Sequence, residues 1–264
     1  MTDSQTGTLH GVSLGPGDPE LITRHAWALL QRNDTVWTYP VRNQKSDSYA
    51  LDIVLRAGLS LPAEHQALVF PMTHDREVLA KAWLRAAQDI LPALQAGRDV
   101  LFLVEGDAST YSTFSHLART LQSLDGTVRV ETVAGVCSFN AAAARLQTPL
   151  ADTDDTIAII PASYGVAVID DLLRQFDTLV LLKVKPLMTE IIELLEQRKL
   201  LEHSQFIEKA GTPEERIVNE VATLRGEKVN YLSLLLIRNP HRERGKLLRG
   251  CRGKSRKPPR EVSA

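Results

Sequence analysis

The amino-acid sequence predicts an α/β fold with a mostly parallel sheet, and its length favours two domains over one. Short apolar runs alternate with amphipathic stretches along the chain, a pattern typical of strands that alternate with helices. Three apolar runs in the first half end in glycine-containing loops, and ligands bind parallel sheets at such strand ends. The chain has 264 residues, of which 44% are hydrophobic, so it can bury one large core or two moderate ones.

The first predicted elements are a strand, a tight loop and a helix. The apolar run TLHGVSLG breaks at the loop GPGDPE (residues 15–20), which is followed by the helical pattern LITRHAWALL. Gly15 and Gly17 permit positive φ angles and a close approach to the main chain. Asp18 can cap the helix, and Pro19 suits its first turn. The spacing matches neither G-x-G-x-x-G nor a P-loop, so an ordinary turn explains this loop as well as a ligand site does.

The rest of the first half repeats this order. We predict a strand (TVWTY), a helix (SYALDIVLRAG), a strand (LVFPM), a helix from about Asp75 to Leu94 and a buried strand (DVLFLVEG). Strands that alternate with helices form parallel sheets, whose carboxyl ends meet at one edge.

Two further loops follow predicted strands of the first half. The second loop runs from Glu105 to Phe114 (EGDASTYSTF), and a helix is expected to start near Tyr111. The third loop, at residues 134–138 (AGVCS), leads into the alanine-rich helix SFNAAAARL, where small residues allow close packing or a close ligand. Each loop alone fits an ordinary strand-to-helix turn, but the three together favour a ligand site.

The second half of the chain contains another set of strands and helices. Its predicted elements are strand DTIAIIP, a helix over 166–176, strand TLVLLKV, a helix over 188–198, and strands SQFIEKA and YLSLLLI. A boundary within LQTPLADTDD divides the chain into an N-terminal α/β domain at 1–148 and a C-terminal α/β domain at 149–240. Residues 241–264 form a basic tail that is expected to be disordered.

Charge and composition argue against several classes of protein. The net charge of −1 combines 21 basic and 30 acidic residues at 1–237 with ten basic residues and one acidic residue at 238–260, and with Glu261. The acidic body would repel a phosphate backbone, so nucleic-acid binding is not expected. The sequence lacks an apolar run of about 18 residues and a signal peptide, which predicts a cytoplasmic protein without a membrane span. Cys137 and Cys251 lie far apart and the seven histidines lack metal-ligand spacing, so neither a disulfide nor a metal site is expected.

Four segments of the chain carry a family resemblance. They are, in order, GVSLGPGDPELIT, EGDASTYSTF, VAGVCSFNAAAARLQTPL and KAGTPEERIV. They resemble the tetrapyrrole methylases, the class III S-adenosylmethionine-dependent methyltransferases of corrin and siroheme synthesis, over residues 8 to about 240. Within the family they are most similar to the precorrin-2 C20-methyltransferases. The resemblance implies a homodimer of two-domain chains, each domain with a mostly parallel or mixed sheet flanked by helices, and an active site in the cleft between the domains.

The resemblance also implies which residues hold S-adenosylmethionine, mostly through the main chain. They are Pro16 in the first loop, Gly106, Asp107, Ala108 and Tyr111 in the second, Cys137 and Ser138 in the third, and Lys183, Ala210, Gly211 and Thr212 in the C-terminal domain. Two positions depart from the family pattern, because Ala108 and Ala134 stand where proline is common. Each departure removes a restraint on φ and restores a main-chain N–H, so binding is expected to survive with a looser loop.

The reaction that the resemblance implies is methyl transfer to C20 of precorrin-2, giving precorrin-3A, or to C20 of cobalt-precorrin-2. A sulfonium methyl is already activated, so positioning is expected to dominate the rate. Candidates to assist the loss of the C20 proton, among which the sequence does not choose, are Asp18, Glu105, Asp107 and Tyr111. The substrate carries many carboxylates, and their candidate partners are Arg42, Lys45, Arg145, Lys185 and Lys209.

Two alternatives stay open. Relatives in the family use the same fold and cofactor on other acceptors, either another ring position of a corrin precursor or a ribosomal RNA nucleotide. A protein of a different class would be a non-catalytic module that binds S-adenosylmethionine or a tetrapyrrole without turnover. The three loops retain their glycines and neighbouring polar residues, which favours an enzyme.

Overall fold

The structure, a computed structural model, describes residues 6–245, and the first half of these residues forms a five-stranded parallel sheet. Its strands are β1 (Thr8–Ser13), β2 (Val36–Val41), β3 (His65–Val69), β4 (Val100–Val104) and β5 (Arg129–Val133). The strand order is β3-β2-β4-β1-β5, and every pair is parallel. The loops that follow β1, β4 and β5 therefore leave three neighbouring strands at the same edge of the sheet.

Helices cover both faces of this sheet. They are α1 (Arg24–Leu30), α2 (Tyr49–Arg56), α3 (Arg76–Gln95) and α4 (Phe114–Leu124). Successive side chains of a strand point to opposite faces, so Val100 and Phe102 of β4 join the core formed with α3 and α4. Leu101 and Leu103 join the core formed with α1 and α2. Burial on both faces explains why β4 is apolar at every position.

The second sheet is mixed, and helix α5 (Ser138–Arg145) precedes it. Its elements are β6 (Ile157–Pro161), α6 (Val166–Gln175), β7 (Thr178–Leu182), α7 (Met188–Gln197), β8 (Ser204–Glu208), β9 (Arg216–Val218) and β10 (Ser233–Arg238). The order is β6-β7-β10-β8-β9, with β6 and β7 parallel and the other pairs antiparallel. Helices α6 and α7 pack on one face and α5 on the other. The predicted fold class, α/β with two mostly parallel or mixed sheets flanked by helices, is confirmed.

The limits of the predicted domains remain predictions. Helix α5 precedes the boundary at residue 148, yet its Ala142 belongs to the same buried cluster as Val180 and Leu236 of the second sheet. Of the predicted basic tail, residues 246–264 lie outside the described residues, and so does Cys251. No helix between residues 6 and 245 is long and apolar enough to cross a membrane.

The first predicted helix is divided in the structure. Residues Pro19–Leu21 form a 3-10 turn capped by Asp18, whose carboxylate accepts a hydrogen bond from the Glu20 N–H at 3.0 Å. The backbone is then extended, and α1 begins after Thr23, whose hydroxyl accepts a hydrogen bond from the Ala26 N–H at 3.2 Å. Asp18 and Pro19 thus take the predicted cap and first-turn positions, but of a separate 3-10 turn, and α1 itself is capped by Thr23.

An ion-pair network fixes the last described residues to the second sheet. Asp155 and Asp177 lie just before β6 and β7, and the side chain of each is 4% exposed. Asp155 pairs with Arg238 at 2.8 Å and also with Arg244. Asp177 pairs with Arg244 at 2.8 Å and also with Arg242. These contacts hold residues 242–244 at the amino ends of β6 and β7.

The Asp177 carboxylate is expected to make stability depend on pH. Burial raises its pKa, but hydrogen bonds from Thr156 and ion pairs with Arg244 and Arg242 outweigh burial and lower the pKa to about 2. Because this value lies below the ordinary 3.8, ionised Asp177 stabilises the fold above pH 4 by about 2 kcal/mol, and about half of that is lost by pH 3.

Asp177→Asn should therefore lose more stability relative to wild type at pH 7 than at pH 3 in urea unfolding. Asp171→Asn, at a carboxylate that is 62% exposed, is the control and should follow the wild type. If Asp177→Asn loses the same free energy of unfolding at both pH values, the prediction is contradicted.

Candidate active site

Four loops come together beside the carboxyl edge of the first sheet. They are loop 1 (residues 14–18), loop 2 (105–113), loop 3 (134–137) and loop 4 (209–215), which follows β8 of the second sheet. Loops 1 and 2 are joined at two glycines: the Gly106 N–H donates to the Gly15 carbonyl at 2.7 Å, and the Gly15 N–H donates to the Gly106 carbonyl at 3.1 Å. Their φ angles are +77° and +78°, a conformation that other residues rarely adopt. Loops 1 and 2 therefore form one unit.

Asp107 ties loop 2 to loop 3. Its Oδ2 accepts a hydrogen bond from the Gly135 N–H at 2.8 Å, and its Oδ1 accepts from the Ser109 N–H at 3.0 Å and the Thr110 hydroxyl at 3.2 Å. The Ser109 hydroxyl also donates to Oδ1. Burial raises the pKa of Asp107, but these hydrogen bonds outweigh burial and hold the pKa below its usual value. The carboxylate is thus ionised and its acceptor positions are occupied.

Loop 3 packs directly on the joined loops 1 and 2. A Cβ at Gly135 would lie 2.4 Å from the Ser13 Cβ and 2.8 Å from the Gly106 carbonyl oxygen, so only glycine fits. The buried Ser13 hydroxyl accepts a hydrogen bond from the Ala108 N–H at 2.8 Å. Proline at position 108 could not make this bond, so the departure from the family pattern adds a contact between β1 and loop 2.

Tyr111 connects loop 2 to the second sheet. Its hydroxyl donates to the Ile159 carbonyl of β6 at 3.0 Å, although the residue is 56% exposed and has a φ of +51°. Nearby, the Cys137 thiol donates to the Thr110 hydroxyl at 3.7 Å. Burial raises the pKa of this thiol, and the charge of Asp107 adds to the effect. Cys137 is therefore a neutral thiol at the start of α5, whose first residue is Ser138.

Loop 4 touches loop 1 through two glycines. A Cβ at Gly17 would lie 2.7 Å from the Ala210 carbonyl oxygen and 2.7 Å from the Thr212 Cγ2 atom. At Gly211, where φ is +78°, a Cβ would lie 2.8 Å from the Asp18 nitrogen. The residues predicted to bind one ligand from both halves of the chain are thus neighbours. Pro16 is buried between these contacts.

Charged side chains brace loops 1 and 4. Glu215 accepts a hydrogen bond from the Gly211 N–H at 2.7 Å and pairs with Arg145 at 2.7 Å. Arg56 of α2 donates to the Gly17 carbonyl at 2.5 Å. Lys209 pairs with Glu214 at 2.5 Å. Of the five cations predicted to meet an acidic substrate, two therefore have carboxylate partners. The three that make no ion pair with residues 6–245 are Arg42, Lys45 and Lys185, and all are exposed.

Lys183 lies at the carboxyl end of β7, apart from the glycine contacts. Its φ is +57°, its N–H donates to the Ser233 carbonyl at 2.9 Å, and its Nζ lies 5.6 Å from the centre of the Tyr231 ring. Since β6 and β7 are parallel and Pro161 pairs with Leu182, Lys183 lies just beyond the carboxyl ends of both strands, whereas Tyr111 contacts Ile159 in the middle of β6.

Glu105 differs from the other candidates for proton transfer. Asp18 and Asp107 accept main-chain hydrogen bonds, and Tyr111 donates to Ile159. Glu105 is partly buried and makes no hydrogen bond or ion pair with any residue from 6 to 245. Burial raises its pKa to about 7.

Some residues that build the site were not singled out from the sequence. Ser13 and Glu215 lie inside the quoted motifs, but nothing in the sequence identifies their hydrogen-bond partners. Ile159 contributes only its carbonyl, for which a sequence gives no signal. Within residues 6–245, no three His, Cys, Asp or Glu side chains are grouped so that they could hold a metal ion.

The chain is similar along most of its length to proteins of known family. A family model for tetrapyrrole (corrin/porphyrin) methylases matches residues 8–225. The cobalt-precorrin-2 C(20)-methyltransferase of Salmonella typhimurium is 34% identical over 232 residues, which cover 88% of this chain and 96% of that protein. The probable cobalt-precorrin-2 C(20)-methyltransferase of Methanocaldococcus jannaschii is 29% identical, covering 87% of this chain and 95% of that protein.

Solved structures agree with this likeness. The uroporphyrin-III C-methyltransferase of Thermus thermophilus, complexed with S-adenosylhomocysteine, superposes with a TM-score of 0.60 at 26% identity. The superposition covers 88% of this chain and 97% of that one.

Proposed function

Because the chain belongs to the family of tetrapyrrole (corrin/porphyrin) methylases, we propose that it transfers a methyl group from S-adenosylmethionine to C20 of precorrin-2 or cobalt-precorrin-2, in cobalamin biosynthesis. The observation that carries the proposal is the likeness, over nearly the full length of both chains, to a relative named for C20 methylation. The contacts among loops 1, 2 and 4 support it, since they bring main chain from both halves of the molecule together beside one edge of the parallel sheet.

The proposed S-adenosylmethionine site lies against the main chain of the four loops. A Cβ at Gly106 would meet no atom within 4 Å, so open space borders the main chain where loops 1 and 2 join. The proposed contacts are Pro16, Gly106, Asp107, Ala108, Tyr111, Cys137, Ser138, Lys183, Ala210, Gly211 and Thr212. A donor held mostly by fixed main chain keeps its sulfonium methyl in one position, as in-line transfer to carbon requires.

A methyl-transfer assay tests the function. Purified protein is incubated with methyl-labelled S-adenosylmethionine and either precorrin-2 or cobalt-precorrin-2, and the product is examined by NMR. We expect one label at C20 and one S-adenosylhomocysteine for each label, and the faster acceptor identifies the metal state of the substrate. Label on another ring carbon would assign a different acceptor position. Binding of both ligands without transfer would show a non-catalytic module and overturn the proposal.

Two free cations suit the carboxylates of the substrate. Arg42 and Lys45 lie in the loop between β2 and α2, which leaves the first sheet at the same edge as loops 1 to 3. The Ser46 hydroxyl accepts hydrogen bonds from the N–H groups of Arg42 and Asn43 at 3.0 Å each, so the loop has a defined shape. A carboxylate-rich macrocycle would supply the partners that these two side chains lack within residues 6–245.

The double variant Arg42→Ala, Lys45→Ala is expected to raise KM for the tetrapyrrole about tenfold with little change in kcat. The reason is that each partly exposed contact between a cation and a substrate carboxylate contributes on the order of 0.5–1 kcal/mol to the free energy of binding. Steady-state kinetics at fixed, saturating S-adenosylmethionine give both constants. Arg129→Ala removes a cation that likewise makes no ion pair with residues 6–245, at the amino end of β5, the opposite edge of the sheet, and should leave KM unchanged. Equal KM values for the two variants would show that the loop does not bind substrate.

The proposal includes a homodimer, which the family resemblance implies, and a cytoplasmic location, which the sequence predicts. Sedimentation equilibrium should give twice the mass of the chain at micromolar concentration, and cell fractionation should recover the protein with cytoplasmic enzymes. A monomer at that concentration, or recovery with membranes, would contradict this part of the proposal.

A further inference from the structure

Glu105 occupies a fixed position beside the open space of the candidate site. Its two neighbours along the chain are both hydrogen-bonded to loop 1: the Val104 carbonyl accepts from the Leu14 N–H at 2.9 Å, and Gly106 exchanges two hydrogen bonds with Gly15. The main chain of Glu105 is therefore held from both sides, immediately before the glycine that borders the open space.

Glu105 is also the one carboxylate of the four loops that makes no hydrogen bond or ion pair with residues 6–245. The other titratable groups of the four loops are Asp18, Asp107, Tyr111, Cys137, Lys209, Glu214 and Glu215. Each of these makes a hydrogen bond or ion pair within residues 6–245. Burying an unpaired carboxyl is unfavourable for folding, so its presence beside a ligand site points to chemistry rather than to stability.

We propose that Glu105 accepts the proton that C20 loses during methylation. The inference rests on the proposed function. C20 attacks the sulfonium methyl, the new carbon–carbon bond forms, and the carbon–sulfur bond breaks with its electron pair passing to sulfur, which gives S-adenosylhomocysteine. The C20–H bond then breaks, its electron pair restores the conjugation of the macrocycle, and the proton passes to the Glu105 carboxylate. Glu105 later releases this proton to water, so one proton is produced for each methyl transferred.

The environment of Glu105 suits this role at neutral pH. Burial raises its pKa to about 7, and no charged neighbour takes part in the shift. A general base is most effective when its pKa lies near the working pH, because it is then both ionised and basic enough to take a proton. The rate at which the C20-methylated intermediate loses its proton, and with it the rate of product formation, should therefore increase with pH through about 7 and then become constant.

The test is Glu105→Gln, which keeps the size of the side chain and removes its basicity. Single-turnover formation of the C20-methylated product that has lost its C20 proton is measured from pH 5.5 to 8.5, with substrate carrying hydrogen or deuterium at C20, and calorimetry gives the Kd for S-adenosylmethionine. We expect the rate to fall about 100-fold or more, the increase through pH 7 to disappear, the deuterium effect to grow, and Kd to stay within about twofold. Glu105→Asp should recover part of the rate. Glu190→Gln, at an exposed carboxylate on α7, is the matched control and should behave as wild type.

The outcomes separate this inference from the proposed function. Wild type that methylates neither acceptor would overturn the proposed function. Wild type that methylates C20 while Glu105→Gln keeps its rate and pH profile would overturn the role of Glu105 alone. A rate loss in Glu105→Gln that is matched by an equal loss of S-adenosylmethionine affinity would also overturn it, because that result assigns Glu105 to the shape of the loop.

Discussion

Gly211→Ala is expected to weaken the binding of S-adenosylmethionine about 100-fold while both sheets stay folded. The added Cβ would lie 2.8 Å from the nitrogen of Asp18 and 3.1 Å from its Cβ, and the first of these atoms belongs to the main chain and cannot rotate away. Loop 1 and loop 4 would have to separate. A displacement of about 1 Å in a positioning element costs on the order of 100-fold in reaction rate, and we expect a similar loss of affinity because loops 1 and 4 both contact the proposed ligand site. Calorimetric titration with S-adenosylmethionine and a thermal melt measure the two effects.

Gly226→Ala is the matched control for this change. Gly226 has a φ of +75°, close to the +78° of Gly211, but a Cβ there would meet no atom within 4 Å. Both variants therefore carry the same backbone strain, about 1 kcal/mol, and only Gly211→Ala disturbs the contact between the loops. If the two variants bind S-adenosylmethionine with similar affinity, the contact between loops 1 and 4 does not shape the ligand site.

Most elements of the fold could be predicted because the periodicity of apolar residues is local. The helix predicted from Asp75 to Leu94 is α3 at Arg76–Gln95, since its pattern is long and regular. The strand predicted at 68–72 lies at His65–Val69 instead, because β3 is an edge strand whose first three residues are exposed and carry no apolar signal. Strand β9 was not predicted, since three residues on the edge of a sheet are too few to show a period.

The positions of glycines predicted which loops would approach one another, but not how they are held together. Gly15 and Gly106 have the positive φ angles that glycine adopts readily, and Gly135 lies where a Cβ would not fit. The bonds that complete the arrangement join residues far apart in the chain, such as Tyr111 with the Ile159 carbonyl and Arg145 with Glu215. Arg145 was predicted to contact the substrate because of its charge, and the structure shows that this charge is paired with Glu215. The ligand roles of the predicted residues stay predictions.

Asp107→Asn is expected to lower the free energy of unfolding by about 3 kcal/mol and to weaken S-adenosylmethionine binding at least tenfold. The carboxylate accepts four hydrogen bonds while only 7% exposed, and an amide offers one acceptor oxygen where these donors need two. The amide nitrogen would face either the Gly135 N–H or the donors of Ser109 and Thr110, leaving buried donors unpaired. Urea unfolding and calorimetry measure the two losses. Asp125→Asn is the control, since Asp125 accepts the same kind of N–H and hydroxyl bonds from Thr127 but lies at the end of α4, away from the four loops.

The pH dependence of the free energy of unfolding distinguishes a loss of the Asp107 charge from a general packing defect in Asp107→Asn. Hydrogen bonds hold its folded-state pKa below the ordinary 3.8 in spite of burial, so the ionised form stabilises the fold above that value. The stability advantage of wild type over Asp107→Asn should therefore be complete at pH 6 and shrink as the pH falls below 4, because both proteins then carry a neutral group at this position. A deficit that is the same at pH 6 and pH 3 would mean that the amide disrupts packing, and that the charge of Asp107 does not hold loops 2 and 3 together.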